Sequence, residues 1–225
     1  MRTYYDPALR PELDAYIETL FVPEDAALRF AREEAEREGL PAIHIQPGDG
    51  RLLELFARAA QARRIVEIGT LAGYSGLWLA RALPATGMLY TLEANPRHAA
   101  VARRTFEFGG VDDRVQVIEG DALTSLQSLA ADAPYDMVFI DADKEGYPAY
   151  LDWAVENLRP GGVIAAHNAL RHGQIITPRN AADAAMRQFN EAVARHDRLS
   201  SLIVNIGDGM LVAVLKAQPP GAGKQ

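Results

Sequence analysis

The spacing of apolar residues changes character near residue 62. Before that point apolar residues recur at three- and four-residue intervals, which predicts helices over 11–20, 24–38 and 51–60. Gly39 and Pro41 close the second of these, and Leu52, Leu53, Leu55, Phe56 and Ala59 give the third a broad apolar face. From residue 64 onward the pattern becomes short apolar runs, at 64–69, 88–93, 114–119, 135–141 and 161–167, each bounded by turn residues. Such runs predict strands covered on both faces. Helical segments fall between and after them, at 75–82, 96–109, 122–131, 145–158 and 180–196. Two last runs, 201–206 and 210–216, are separated only by Gly207-Asp208-Gly209, which predicts a tight antiparallel hairpin.

Alternating strands and helices call for a mostly parallel sheet. The expected fold is therefore α/β: a doubly wound, seven-stranded, Rossmann-like sheet with a C-terminal antiparallel hairpin and extra N-terminal helices. A chain of 225 residues accommodates this as one domain over 1–217, with helices in 1–62, the sheet core in 63–217 and a disordered tail at 218–225. The net charge of −7 disfavours a nucleic-acid partner, which needs cations to neutralise phosphates. With no cysteine, disulfides, thiol nucleophiles and Cys-ligated zinc are excluded. The first residues lack the apolar run of a signal peptide, and no uncharged apolar stretch approaches the roughly 20 residues of a membrane span. A cytoplasmic location is expected.

Candidate chemistry gathers at the strand ends, where open α/β sheets bind ligands. Glu67 and Gly69 mark the first run, Glu93 the second, Asp121 the position just after the third, Asp141 and Asp143 the fourth, and His167 and Asn168 the fifth. Any one carboxylate there reads equally well as a helix cap; five in register would line one crevice. In the stretch Val66-Glu67-Ile68-Gly69-Thr70-Leu71-Ala72-Gly73-Tyr74-Ser75-Gly76 the first two glycines lie four apart, not two as in a dinucleotide fingerprint. That looser loop suits a ligand without pyrophosphate, and Ser75 is placed to cap the next helix. Glu93, 24 residues after Gly69, suits a ribose diol. Lys144 stands where a helix should begin, where the helix dipole disfavours a cation. A residue misplaced for stability is a candidate for chemistry.

Val66–Gly76, Leu92-Glu93, Glu119-Gly120-Asp121-Ala122, the segment 135–144 and Leu158-Arg159-Pro160-Gly161-Gly162 together resemble the caffeoyl-CoA and catechol O-methyltransferase family, over residues 40 to 216. Gly207-Asp208-Gly209-Met210-Leu211 and Lys216 also fit its small bacterial members. The resemblance implies a class I fold and transfer of a methyl group from S-adenosylmethionine to a hydroxyl of a small aromatic, catechol-like acceptor. It implies that Glu67, Gly69, Thr70 and Ser75 meet the methionine portion of the cofactor and Glu93 its ribose. Asp121 and Ala122 would flank the adenine, Asp141 and Asp143 would face the amino end, and the backbone of Ile45 would also touch the cofactor. Family members form homodimers whose N-terminal helices help to close the site. They hold magnesium or calcium with an aspartate matching Asp141 and an Asp-Asn pair after the fifth strand.

Here that pair reads His167-Asn168. Imidazole suits softer ions than magnesium or calcium. Asp141, His167 and Asn168 would then hold a different divalent ion, or hold one weakly, or His167 would act as a base without metal. Lys144 and His167 both qualify to take the hydroxyl proton, with Asp141 beside them. The loop bearing Arg171, His172 and Gln174 would shape the acceptor pocket. Two other readings share the crevice: an NAD(P)-dependent oxidoreductase and a non-catalytic module that binds S-adenosylmethionine.

Overall fold

The computed structural model describes residues 6–217; the tail expected at 218–225 lies outside them. The chain opens with helices α1 (Arg10–Phe21), α2 (Ala26–Arg37) and α3 (Pro47–Ala59). The alternating part follows: β1 (Arg64–Ile68), α4 (Tyr74–Ala82), β2 (Met88–Glu93), α5 (Pro96–Phe108), β3 (Val115–Glu119), α6 (Ala122–Leu129), β4 (Tyr135–Ile140), α7 (Tyr147–Asn157), β5 (Leu158–Ala166), α8 (Ala181–Arg195), β6 (Leu199–Val204) and β7 (Met210–Leu215). The sheet order is β3-β2-β1-β4-β5-β7-β6, parallel except that β7 runs antiparallel to both β5 and β6. The strand order reverses between β1 and β4, and their junction is where a doubly wound sheet opens a crevice.

The strands' period of two sorts their side chains onto two faces. Ile65, Leu89, Met137, Phe139 and Val163 point to one core, where they meet Leu28, Leu53, Leu77 and Phe106 from α2 to α5. Val66, Val138, Ile140 and Ile164 point to the other, under Leu126, Leu151 and Phe189 from α6, α7 and α8. Helix starts follow local chemistry. Asp25, Asn95, Asp121 and Asn180 each accept a backbone N–H of the first turn that would otherwise lack a partner.

Three local expectations need correction. The third helix begins at Pro47, four residues early, because Asp49 accepts the Gln46 N–H at 3.1 Å and starts the turn. Gly50, inside this helix, is a close-packing position. A Cβ there would lie 2.3 Å from the Trp78 indole, so only glycine lets α3 sit on α4. β5 begins at Leu158, before the Arg159–Gly162 stretch, and its register against β4 shifts between Tyr135 and Met137. Last, β6 and β7 are joined by five residues, 205–209, in a looser connection than the tight hairpin expected. Gly207 and Gly209 take its left-handed positions.

The helices before residue 62 differ in how they attach. α2 buries Leu28, Ala31 and Ala35, and is tied to α5 by Arg104, which donates to Glu34 at 2.8 Å and to Glu38 at 2.9 Å. α1 buries no residue, and leaves Tyr16, Ile17, Leu20 and Phe21 exposed. Among the described residues no helix is long and apolar enough to cross a membrane.

Candidate active site

The C-terminal ends of β1, β2, β4 and β5 open into one cavity of about 1070 Å³. Its walls bring together Ile45, Gly69, Thr70, Ser75, Glu93, Asp121, Ala122, Asp141, Asp143, Lys144, His167 and Asn168. Arg171 and His172 also line it, whereas Gln174 and Glu67 do not; Glu67 is the one candidate cofactor residue outside the lining. It lies beneath the floor, fully buried, accepting from Ser75 Oγ at 2.5 Å and Thr91 Oγ1 at 2.6 Å. Ser75 therefore does not cap α4, whose N-cap is Gly73 in the left-handed conformation.

Gly69 marks the narrowest point of the floor. Its φ is +100°, and a Cβ would lie 2.2 Å from the Asp141 carbonyl oxygen, so the ends of β1 and β4 touch backbone to backbone here. The first amides of the loop beyond it are already occupied. Thr70 N at 3.3 Å and Leu71 N at 2.9 Å donate to Glu93 Oε2, while Asn95 N donates to Oε1 at 2.9 Å. A pyrophosphate at this loop would meet a carboxylate in place of free N–H donors, which argues against a dinucleotide. A ligand with hydroxyls and positive charge fits, because Glu93, Asp121, Asp141 and Asp143 all face the same space.

Two of those carboxylates do cap helical turns. Asp121 Oδ1 accepts from Thr124 N, and Asp143 Oδ2 accepts from Gly146 N, both at 2.8 Å. Asp143 Oδ1 also takes the Tyr150 hydroxyl at 2.7 Å. Capping and lining are compatible, since a carboxylate has lone pairs to spare.

Lys144 does not start the long helix. It lies in a short 3-10 turn, Lys144–Gly146, ahead of α7. Its Nζ is 3.2 Å from Asp141 Oδ1 and donates to the Tyr147 hydroxyl at 2.6 Å. Burial holds the Lys144 ammonium below the usual lysine range; the attraction of Asp141 opposes this, and the positive charge of Arg171 adds to it. Burial alone would push Asp141 upward, but His167 and Lys144 outweigh it and hold the carboxyl below its ordinary range.

His167 is flanked by two carboxylates. Nδ1 is 3.3 Å from Asp141 Oδ2, and Nε2 is 3.4 Å from Asp49 Oδ2. Nδ1 is close to its partner without the alignment of a hydrogen bond. Burial would lower the imidazole, yet the two carboxylates push it up to about 9. Asp49, fully buried at the start of α3, was not a candidate in the sequence. Among the described residues its Oδ1 has no hydrogen-bond partner.

The implied metal ion fits these residues poorly. A metal-bound imidazole coordinates through the lone pair of a neutral ring, whereas carboxylates 3.3 and 3.4 Å from the two His167 nitrogens favour the protonated ring in the ion-free protein. Among the described residues no group of three or more His, Asp or Glu side chains is arranged to hold an ion. His167 and Lys144 already place positive charge on either side of Asp141.

An O-methyltransferase family profile matches residues 19–216. A catechol O-methyltransferase of Mycobacterium tuberculosis is 41% identical over 92% of this chain and 96% of its own length. One from Niastella koreensis is 40% identical over 91% and 96%. Among solved structures, an O-methyltransferase from Bacillus cereus in complex with S-adenosylhomocysteine superposes with a TM-score of 0.86 at 38% identity, covering 91% of this chain and 97% of that one. The tomaymycin-synthesis enzyme TomG of Streptomyces achromogenes, in complex with S-adenosylmethionine, gives 0.85 at 36%, covering 92% and 96%. The fold and strand-end cavity are those of a class I methyltransferase. The chain belongs to this family of S-adenosylmethionine-dependent O-methyltransferases, which sets aside the oxidoreductase reading.

Glu67 gives this site a pH signature. Burial pushes its carboxyl up to about 7, against the two hydroxyl donors, with Asp141 and Glu93 adding repulsion. Its unfolded value is the ordinary 4.5. Below that value the group is neutral in both states and costs nothing. As pH rises from there to about 7, the unfolded chain ionises first and stability falls; above 7 the full cost remains, on the order of 3 kcal/mol. Glu67→Gln should therefore gain stability over the wild type at pH 8 and little at pH 4.5, measured by thermal unfolding of the cofactor-free protein. Parallel melting profiles across that range would show that Glu67 does not resist ionisation.

Proposed function

We propose that the enzyme methylates one hydroxyl of a catechol-like aromatic acceptor, with Lys144 as the base and no metal ion in the step. The observation that carries this reading is the placing of Lys144 Nζ at the cavity wall, between Asp141 and the Tyr147 hydroxyl. The names of the catechol O-methyltransferase relatives support the acceptor class.

When bound, S-adenosylmethionine supplies a methyl group already activated on a sulfonium sulfur. The protein's tasks are to align the hydroxyl and take its proton, and alignment alone is worth several kcal/mol. A neutral Lys144 amine keeps two N–H bonds for Asp141 and Tyr147, and this leaves its lone pair for the acceptor hydroxyl. The His167 imidazolium, ion-paired with Asp49 and Asp141, stabilises the oxygen as negative charge develops on it. Glu93 offers its remaining lone pairs to the cofactor ribose, and Asp141 and Asp143 face the amino end.

Methyl transfer from S-adenosylmethionine to catechol, followed by mass spectrometry, tests the assignment. Lys144→Met should lower kcat at least a hundredfold, the lower end of general-base effects. It should also remove the ionisation that makes the wild-type rate rise with pH. An unaltered pH profile in that variant would take the base role from Lys144.

We also propose a homodimer, supported by α1, whose Tyr16, Ile17, Leu20 and Phe21 are left exposed among the described residues. Packing them on a second copy would contribute to an interface of about 1,600 Å². Light scattering at micromolar concentration should give twice the mass of the 225-residue chain, and Leu20→Glu with Phe21→Glu should halve it. A wild-type monomer under those conditions rejects the dimer.

A further inference from the structure

The cavity is chemically lopsided. Most of its charged lining is carboxylate, Asp208 of the β6–β7 connection included, but the segment after β5 contributes Arg171. This segment is held in an unusual conformation. Asn168, Arg171 and His172 have φ of 58°, 48° and 51°, left-handed values that side chains other than glycine rarely adopt. Such backbone persists only where its surroundings hold it, and it gathers at ligand sites.

The surroundings here are the 205–209 connection. Ala169 N donates to Gly209 O and Leu170 N to Asp208 O, both at 2.9 Å, and His172 N donates to Asp208 Oδ1. Gly209 has no room for a side chain, since a Cβ would lie 2.6 Å from Leu170 Cγ. The loop is thus docked on the β6–β7 turn before any ligand arrives.

Arg171 is aimed by a buried carboxylate. Its Nε donates to Asp183 Oδ1 at 3.2 Å, and Asp183 is fully buried and also accepts from Arg179 N. That bond uses one of five guanidinium N–H groups. Among the described residues, the two terminal amino groups have no protein acceptor, and the side chain is only 26% exposed. Arg171 lines the same cavity as Lys144, close enough for its positive charge to act on that lysine. A pre-aimed planar fork, with its paired donors free, matches a carboxylate bidentately.

We infer that Arg171, oriented by Asp183 on the docked 168–173 loop, forms a subsite for a carboxylate on the aromatic acceptor. The preferred substrates are dihydroxy aromatic acids rather than neutral or cationic catechols. This rests on the aromatic-diol reading above and narrows it. A cationic side chain on the acceptor would meet the Arg171 guanidinium and be repelled. The neighbouring His172, 78% exposed and already 3.6 Å from Asp208, does not share the role.

The test compares 3,4-dihydroxybenzoate with its methyl ester, which keeps the diol and removes the charge. Both are titrated calorimetrically into the protein saturated with S-adenosylhomocysteine. The acid should bind at least tenfold more tightly than the ester. Arg171→Gln should bring the two within about threefold, with Arg171→Lys in between, because lysine keeps the charge and loses the fork. A loop that merely loosened would weaken acid and ester alike and leave their ratio unchanged. Equal wild-type affinities, or a ratio that survives Arg171→Gln, overturn the subsite. If the acid is preferred through Arg171 yet neither compound is methylated, the subsite stands and the catechol reading falls.

Discussion

A buried carboxylate at the end of a central strand has to be compensated, and Asp141 is compensated from two directions. Lys144 reaches it from the turn that follows β4, and His167 reaches it from the end of β5. Removing either cation leaves a charge in a poorly solvated place, which costs several kcal/mol in buried pairs. The same point limits the backbone. Gly69 is needed because the Asp141 carbonyl lies where any side chain would go. The contact that closes the sheet crevice and the ion pairs that furnish its chemistry therefore share one residue.

Charge compensation also accounts for how this chain departs from its relatives' expected pattern. With histidine where the family has an aspartate, the cage loses an oxygen ligand and a negative charge and gains a cation. Asp49, brought in by α3, supplies the second carboxylate that keeps His167 protonated. In the reaction proposed above, that positive side chain beside Lys144 would stabilise the acceptor oxygen electrostatically, the task a divalent ion can perform. The substitution is consistent with its surroundings, since one carboxylate lies 3.3 Å from Nδ1 and another 3.4 Å from Nε2.

Much of this was legible in the sequence. The period of two in the apolar runs separates the two cores, and polar residues at the ends of those runs share a cavity because parallel strands all end on one side. Glu67 was misplaced although the same rule covers it. It falls on the face of β1 that carries Ile65, beneath α4, so its carboxylate meets Ser75 and Thr91 and not open space. Asp49 could not be found from local pattern. It lies ahead of the helix expected from residue 51, and only the earlier start of α3 and its packing on α4 through Gly50 bring it to His167. Arg171 stood out only as a loop residue; its aim depends on Asp183, twelve positions away on α8.

The central claim is that side chains, not a metal ion, hold the positive charge at the acceptor oxygen. The direct measurement is the rate of methyl transfer to catechol by enzyme stripped with a strong chelator, compared with the same enzyme given excess magnesium, manganese or zinc. The account predicts equal rates in every case. A stripped enzyme that loses activity and recovers it with one of those ions would contradict the account, and would place a metal where His167 is proposed to act.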